Sequence, residues 1–349
     1  MRNSKPKRRR RFNRVPSVAA TLGWSICRCT PNCRMTLPLI IVNPAADAGE
    51  TERNWPRMAS DVRTHFGPFS VSFTETVGHA RVLAAEAAKQ GANLIIACGG
   101  DGTISEVANG IIESNQETEL GILPSGTGGD FRRSLKISAD VGTAARVLRD
   151  GRPRVIDAGR VTFVNDAGER ENRYFVNVAS FGMSTAVLER QKAADIKKWF
   201  PTGASRKLGN KLSYAAATVH TTLAAVATEV QVQLDDESER RLRVAEFCVA
   251  NARYYGGAMK IAPDAKLDDG LFDCITIGDA GAFRILANSP RLYFGTHLRM
   301  DEVSHVLAKR VVARPANKDD QIPVELDGEI VGRLPVTFQI VPRALHVRC

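Results

Sequence analysis

The chain has 349 residues, with 48 Lys plus Arg against 38 Asp plus Glu and a formal net charge of +10. Ten of those bases and no acid fall in residues 1–34, so residues 35–349 carry 38 of each sign and the body is formally neutral. The charge therefore gives no support to a nucleic-acid-binding face, and no apolar run approaches the about 18 residues a helix needs to cross a bilayer.

A hydrophobic content of 44% and 25% charged residues fit a packed globular chain, with roughly two domains at about 150 residues each. Of the seven cysteines, Cys27, Cys29 and Cys33 lie in the basic segment and Cys98, Cys248, Cys274 and Cys349 are scattered. That is no disulfide framework, and a reducing cytoplasm suits it best. Residues 1–34 read as a disordered extension that the working protein does not need, with Met35 as the functional start. The alternatives are an export or transit signal, weakened by Pro16 and Gly23, and a metal clip of the three cysteines, which lacks a fourth ligand.

From Leu37 onward the pattern turns regular. LPLIIVNP predicts a short apolar strand, 54–66 a helix, PFSVSFTET a second strand and 78–90 an Ala-rich helix. NLIIACGGDGT predicts a third strand entering a glycine turn, followed by a helix over 103–113 and by LGILPSGTGGD, again strand then glycine loop. Apolar strands alternating with helices predict a parallel sheet covered on both faces. Beyond about residue 155, VIDAGRVTF, ENRYFVNVAS, EVQVQLDD, RLRVAEFCVANA, LFDCITIG and LPVTFQIV read as strands of a mostly antiparallel second domain, with one helical stretch near 205–226. The fold class is α/β: an N-terminal three-layer α/β nucleotide-binding domain and a second, mainly antiparallel β-sandwich domain. The predicted bounds are 35–155 and 156–337.

Three loops fall at strand ends, where such sheets bind ligands. In GGDGT, Gly99 to Thr103, the glycines bring backbone N–H groups close to an anion, and Thr103 and the helix start add donors. Asp101 would repel phosphate, so its presence suggests a carboxylate acting through magnesium. A polar strand-to-helix turn explains one such loop equally well. Asn43-Pro44 and PSGTGGD, Pro124 to Asp130, repeat the placement, and together the three describe a nucleotide phosphate site.

GGDGTISEVANGI, LGILPSGTGGDFRRSL, NARYYGGAMKIAPDAKLDDGLFD and ELDGE, in that order, resemble the diacylglycerol-kinase-type lipid kinases, the bacterial branch of a superfamily that includes sphingosine, ceramide and NAD kinases. The resemblance runs from about Leu37 to the C-terminus and implies that the last strand, about 338–349, returns to the first domain. It departs at Asp47, near the family's usual Ser-Gly pair, and at Gly129, where Asn is common. It implies ATP at Asn43, Pro44, Ala45, Ala46 and Asp47, at Thr74, at Gly100, Asp101, Gly102, Thr103, Ile104, Ser105 and Glu106, and at Thr127. Asp101 and Asp130 would lie at the phosphate and magnesium centre. It also implies a structural Mg2+ on Asp269, with backbone carbonyls from Lys266 and Leu271; without the family, Asp268-Asp269-Gly270 reads as a solvated turn.

A lipid hydroxyl must lose its proton as it attacks the γ-phosphate, and a carboxylate in the cleft serves as base. The resemblance puts this proton acceptor in Asp-Gly-Glu: Glu329, with Asp327 close behind. Taken alone, Asp-Gly-Glu is a hairpin turn. Ile196–Leu212, with Trp199, Phe200, Lys197, Lys198, Arg206, Lys207 and Lys211, suits docking on an anionic bilayer or equally a helix with lysines over core aromatics. Arg53, Arg132 and Arg133 are candidate phosphate neutralisers.

The expected function is ATP- and magnesium-dependent phosphorylation of a lipid hydroxyl, diacylglycerol first, by a cytoplasmic enzyme held peripherally at the inner face of the membrane. Alternatives are the same fold acting on NAD, a sphingoid base or phosphatidylglycerol, and a non-catalytic nucleotide sensor tethered by its basic segment. The oligomeric state stays open, a homodimer included.

Overall fold

Strands β1 (Leu39–Val42), β2 (Ser70–Phe73), β3 (Leu94–Gly99) and β4 (Glu119–Pro124) form a parallel sheet in the order β2-β1-β3-β4. The computed structural model describes residues 37–125, 129–165, 168–185, 227–279 and 281–349. Every residue of β3 is buried, as a strand covered on both faces requires. Helices α1 (Glu50–His65), α2 (His79–Lys89), α3 (Asp101–Ser114), α4 (Asp130–Ser134) and α5 (Val141–Asp150) alternate with these strands. α1 packs with α5 and α2 with α3. The α2–α3 approach is close because Gly110 has no side chain: a β-carbon there would lie 2.3 Å from the Arg81 carbonyl oxygen.

α1 begins four residues before its predicted start, with Pro56 inside it. Gly49, at φ +84°, ends a 3-10 turn, Ala46–Gly49, and leads directly into the helix. Asp47 and Ala48 within that turn also have positive φ, +51° and +56°.

The second part is antiparallel: β5 (Pro153–Val164), β6 (Arg170–Phe175), β7 (Val178–Gly182), β8 (Thr228–Leu234), β9 (Arg240–Ala250), β10 (Phe272–Gly278), β11 (Val303–Ala308), β12 (Arg310–Pro315), β13 (Pro323–Leu326) and β14 (Glu329–Arg348). Two short helices, α6 (Ala282–Asn288) and α7 (Pro290–Phe294), join β10 to β11. The main order is β11-β10-β9-β7-β13-β14, with β8 bridging β9 and β12, and β5 pairing β14 and β6. Phenylalanines fill the space between the layers: Phe175 stacks on Phe272 at 5.6 Å, Phe181 on Phe247 at 5.0 Å, and Phe338 meets Phe175 edge-on. β11 and β12 are absent from the sequence-predicted strands. The four inner residues of β11 are the half-buried or exposed edge type, which carries little apolar signal.

The twenty-residue β14 joins the two parts. It pairs antiparallel with β13, β12 and β5, and its end, His346 and Val347, lies parallel beside β4. The stretch predicted helical at 205–226, residues 1–34 and Ile196–Leu212 lie outside the described residues. No described helix is long and apolar enough to cross a membrane.

Candidate active site

The glycine turn after β3 is forced by packing. A β-carbon on Gly99 would sit 2.4 Å from Thr103 Oγ1, so only glycine lets the first turn of α3 fold back on the strand. Thr103 is buried, and its hydroxyl accepts a 3.0 Å hydrogen bond from Asn43 Nδ2. Asn43 Oδ1 in turn accepts from the Ala45 N–H at 3.0 Å, shaping the turn after β1. Two of the three expected loops are thus tied directly together. Thr74 is buried at the end of β2, its N–H bonded to Val42. Ile104 points into the hydrophobic core, so only its backbone is placed to meet a ligand. Thr127 lies outside the described residues.

The acids in these loops have structural partners that the sequence did not reveal. Asp101 was expected to act through magnesium; its carboxylate instead accepts the N–H groups of Gly129, Asp130 and Phe131 at 2.7, 3.0 and 3.1 Å. It holds the start of α4, which by itself explains an acid in an anion-cradling turn. Asp130, expected at the same centre, is buried and accepts from Gly257 and Ala258 N–H at 2.8 and 2.7 Å and from Arg133 at 2.7 Å. Burial raises its pKa against these donors. Arg133 pairs with Asp130, Arg132 bonds the Ile137 carbonyl through Nη1, and the exposed Arg53 lies 3.3 Å from Glu50. Both oxygens of Glu106 accept from Gly78 and Ala80 N–H at 2.8 and 3.0 Å, capping α2 from α3.

The Asp-Gly-Glu segment is a two-residue hairpin between β13 and β14. Asp327 and Gly328 both have positive φ, +48° and +94°, and Leu326 pairs with Glu329. Asp327 is half-buried, and its carboxylate is surrounded by donors. Ser105 Oγ and the N–H of Val176 donate to Oδ2 at 2.9 and 3.0 Å, and the N–H groups of Asn177 and Val178 to Oδ1 at 2.9 and 3.1 Å. Burial pushes its pKa up to about 6 while the four donors pull the other way. Asp327, expected close behind Glu329 as a base, is through these bonds a latch between α3 and the second part. Asn109 reinforces the latch through paired 2.8 Å hydrogen bonds with the backbone of Tyr174.

Glu329 is placed differently. Its Oε1 lies 3.4 Å from where a β-carbon on Gly102 would be, facing the GGDGT turn. It lines a cleft of about 180 Å3 with Ser105, Glu106, Arg81, Arg173 and Tyr174. Two carboxylates, Glu329 and Glu106, line it with the Arg81 and Arg173 guanidinium groups, which are paired with Glu113 and Glu171.

At the expected structural metal, Asp269 lies in an exposed turn and its Oδ1 accepts from Leu271 N–H at 3.2 Å. Beneath it the buried Asp157 accepts from Gly270 and Arg343 N–H, both at 2.7 Å, holding the turn against β14. One carboxylate with neighbouring carbonyls fits a hard cation that retains water. Among the described residues no group of three or more His, Cys, Asp or Glu forms a metal cluster.

A cluster absent from the sequence reading lies next to this hairpin. Glu325 on β13 and Glu246 on β9 are buried, joined through Ser180 and Ser184: Ser180 donates to Glu325 at 3.1 Å, Ser184 to Glu246 at 2.6 Å, and the two hydroxyls are 2.9 Å apart. The only signal was a glutamate inside the apolar run VAEFCV.

Comparison with known proteins agrees with this architecture. Residues 38–161 match the diacylglycerol kinase catalytic domain, and residues 196–349 match the YegS C-terminal NAD kinase beta sandwich-like domain. The chain is 32% identical over 279 residues to the diacylglycerol kinase of Bacillus subtilis, covering 80% of this chain and 84% of that protein. It is 28% identical over 308 residues to the diacylglycerol kinase of Staphylococcus saprophyticus, covering 88% and 93%. The crystal structure of a diacylglycerol kinase from Bacillus anthracis shares the fold at a TM-score of 0.65 and 20% identity, over 90% of this chain and 97% of that one. A glycine-turn α/β sheet closed by an acid-bearing hairpin from a β-sandwich is here the framework of an ATP-dependent lipid kinase. The chain belongs to the diacylglycerol kinase family.

Proposed function

We propose that the protein transfers the γ-phosphoryl group of ATP to the primary hydroxyl of diacylglycerol, giving phosphatidic acid and ADP. The observation that carries this reading is the placement of Glu329 against Gly102, a carboxylate from the second part facing the glycine turn of the first. ATP would lie along the turns at Asn43–Asp47 and Gly100–Glu106, with the backbone N–H groups and the α3 start meeting its phosphates. Glu329 accepts the hydroxyl proton as oxygen attacks phosphorus, in one in-line displacement with no covalent enzyme intermediate. Asp327 holds the hairpin and Asp101 and Asp130 hold the loops, so that these groups meet without rearrangement. Asp269, with the Lys266 and Leu271 carbonyls, would hold a structural Mg2+. A magnesium ion carried in with ATP would neutralise phosphate charge. The acceptor lies in a bilayer, which supports a peripheral site of action at the inner membrane face.

Labelled ATP presented with a panel of diacylglycerol, sphingoid base, phosphatidylglycerol and NAD tests the reading. Label in phosphatidic acid is expected. Label in another acceptor alone would reassign the substrate, and ATP binding with no labelled product would favour a nucleotide sensor. Glu329→Gln is expected to lose at least about 100-fold in kcat with ATP binding kept; near-normal turnover would remove Glu329 from the role.

A further inference from the structure

Helix α7 is built to expose two aromatic side chains. Pro290 starts it and Gly295, at φ +69°, ends it directly after Phe294. A β-carbon on Gly295 would lie 3.0 Å from Pro263, so the chain turns sharply at that point. Leu292 packs inward on the core under β9 and β10, and the buried ring of His297 anchors the following turn through Nε2 and the Ile261 carbonyl, 2.9 Å apart. Tyr293 and Phe294 are left outward, 48% and 76% exposed. Phe294 is among the most exposed of the large apolar side chains, and none of the described residues covers it.

Residues 280–300 contain Arg284, Arg291 and Arg299 and no acid, while Asp279, Asp301 and Glu302 flank the stretch and exposed Asp264 lies beside Pro263. Arg284 is paired with Glu302, whereas Arg291 and Arg299 are exposed and make no ion pair among the described residues. Lys260 adds a third base: its N–H donates to the Leu292 carbonyl at 2.8 Å, and its β-carbon lies near Gly295. The same segment reaches the nucleotide side, since Gly257 and Ala258 donate to Asp130. Exposed aromatics among bases that make no ion pair with described residues, with Lys260 two residues from Ala258 and its contact with Asp130, complement an anionic lipid–water interface, where amphipathic rings and cations both gain.

We propose that the Tyr293–Phe294 tip, with Lys260, Arg291 and Arg299, is the surface on which the enzyme docks to an anionic phospholipid bilayer. The proposal deepens the functional reading and rests on the acceptor being a membrane lipid. It is tested with the full chain by pelleting with vesicles of phosphatidylglycerol and phosphatidylcholine, and by turnover of a short-chain diacylglycerol in detergent micelles. Tyr293→Ser/Phe294→Ser and Arg291→Glu/Arg299→Glu are each expected to lower vesicle partition about tenfold or more, with micelle turnover within about twofold of the parent. Because both pairs are exposed, an unchanged melting temperature is expected and the charge variant guards against misfolding of the aromatic one. Unchanged partition in both variants would overturn the proposal. So would a concentration-dependent mass in vesicle-free solution that the aromatic variant abolishes, which would assign the tip to a second copy of the chain. If the parent phosphorylates no micellar diacylglycerol while the variants still lose vesicle partition, the acceptor assignment fails and the docking surface stands.

Discussion

Ser105 and Asp327, 222 positions apart in sequence, are joined by a 2.9 Å hydrogen bond in which the hydroxyl donates to the carboxylate. Ser105 belongs to the helix that follows the glycine turn, and Asp327 to the hairpin that presents Glu329. The bond therefore sets the distance between the nucleotide loop and the proposed base.

Breaking that bond has a measurable expected effect. Ser105→Ala leaves Asp327 with three backbone donors and removes one charge-assisted hydrogen bond, a loss of about 1.5–3 kcal/mol. Denaturant unfolding is expected to show that loss, and kcat to fall more than the KM for ATP rises. A variant with parental stability and kcat would show that the latch has no part in positioning.

Gly99 makes a sharper steric prediction. Gly99→Ala drives a methyl group into Thr103 and disturbs its bond from Asn43, an overpacking cost of about 1–3 kcal/mol. ATP affinity, read by calorimetry, is expected to drop with stability. Gly67→Ala, a positive-φ site with open space around it, is the control: it strains the backbone but leaves the nucleotide site alone.

Ala48 occupies left-handed backbone without being glycine. Ala48→Gly removes a penalty of about 1 kcal/mol, partly offset by the entropy glycine gains when unfolded. A small rise in melting temperature is expected; a fall would mean the alanine methyl group makes a compensating contact.

Glu246 links stability to pH. Burial raises its pKa from 4.5 to about 8, against two hydrogen bonds from Ser184 that lower it. A raised acid favours the protonated folded state, so its contribution is whole below pH 4.5 and is lost as pH climbs through about 8. Thermal unfolding should show declining stability across that window, and Glu246→Gln should flatten the decline. Parallel curves for parent and variant would place the ionisation elsewhere.

The α/β half was legible because its strands are continuously apolar and its helices periodic, and because glycine turns are written in the chain where the backbone needs them. GGDGT followed by α3, and Asp-Gly as a hairpin, are local facts that the neighbouring residues settle. The antiparallel half was legible only where apolar runs are long; β11 escaped because its inner residues are exposed at the sheet edge, and β12, although paired with both β14 and β8, buries only Val311, Val312 and Ala313 between two arginines. Local sequence likewise named Asp101, Glu106, Asp130 and Asp327 as special without saying why. Their partners are backbone N–H groups of segments distant in sequence, and such groups carry no side-chain signature. Charge, hydropathy and the glycine motifs thus determined by themselves that an α/β chain with a formally neutral body carries a glycine-loop site. Only the tertiary structure decided which loops the acids hold together and that Glu329 lies beside the glycine turn, because β14 brings the two parts together.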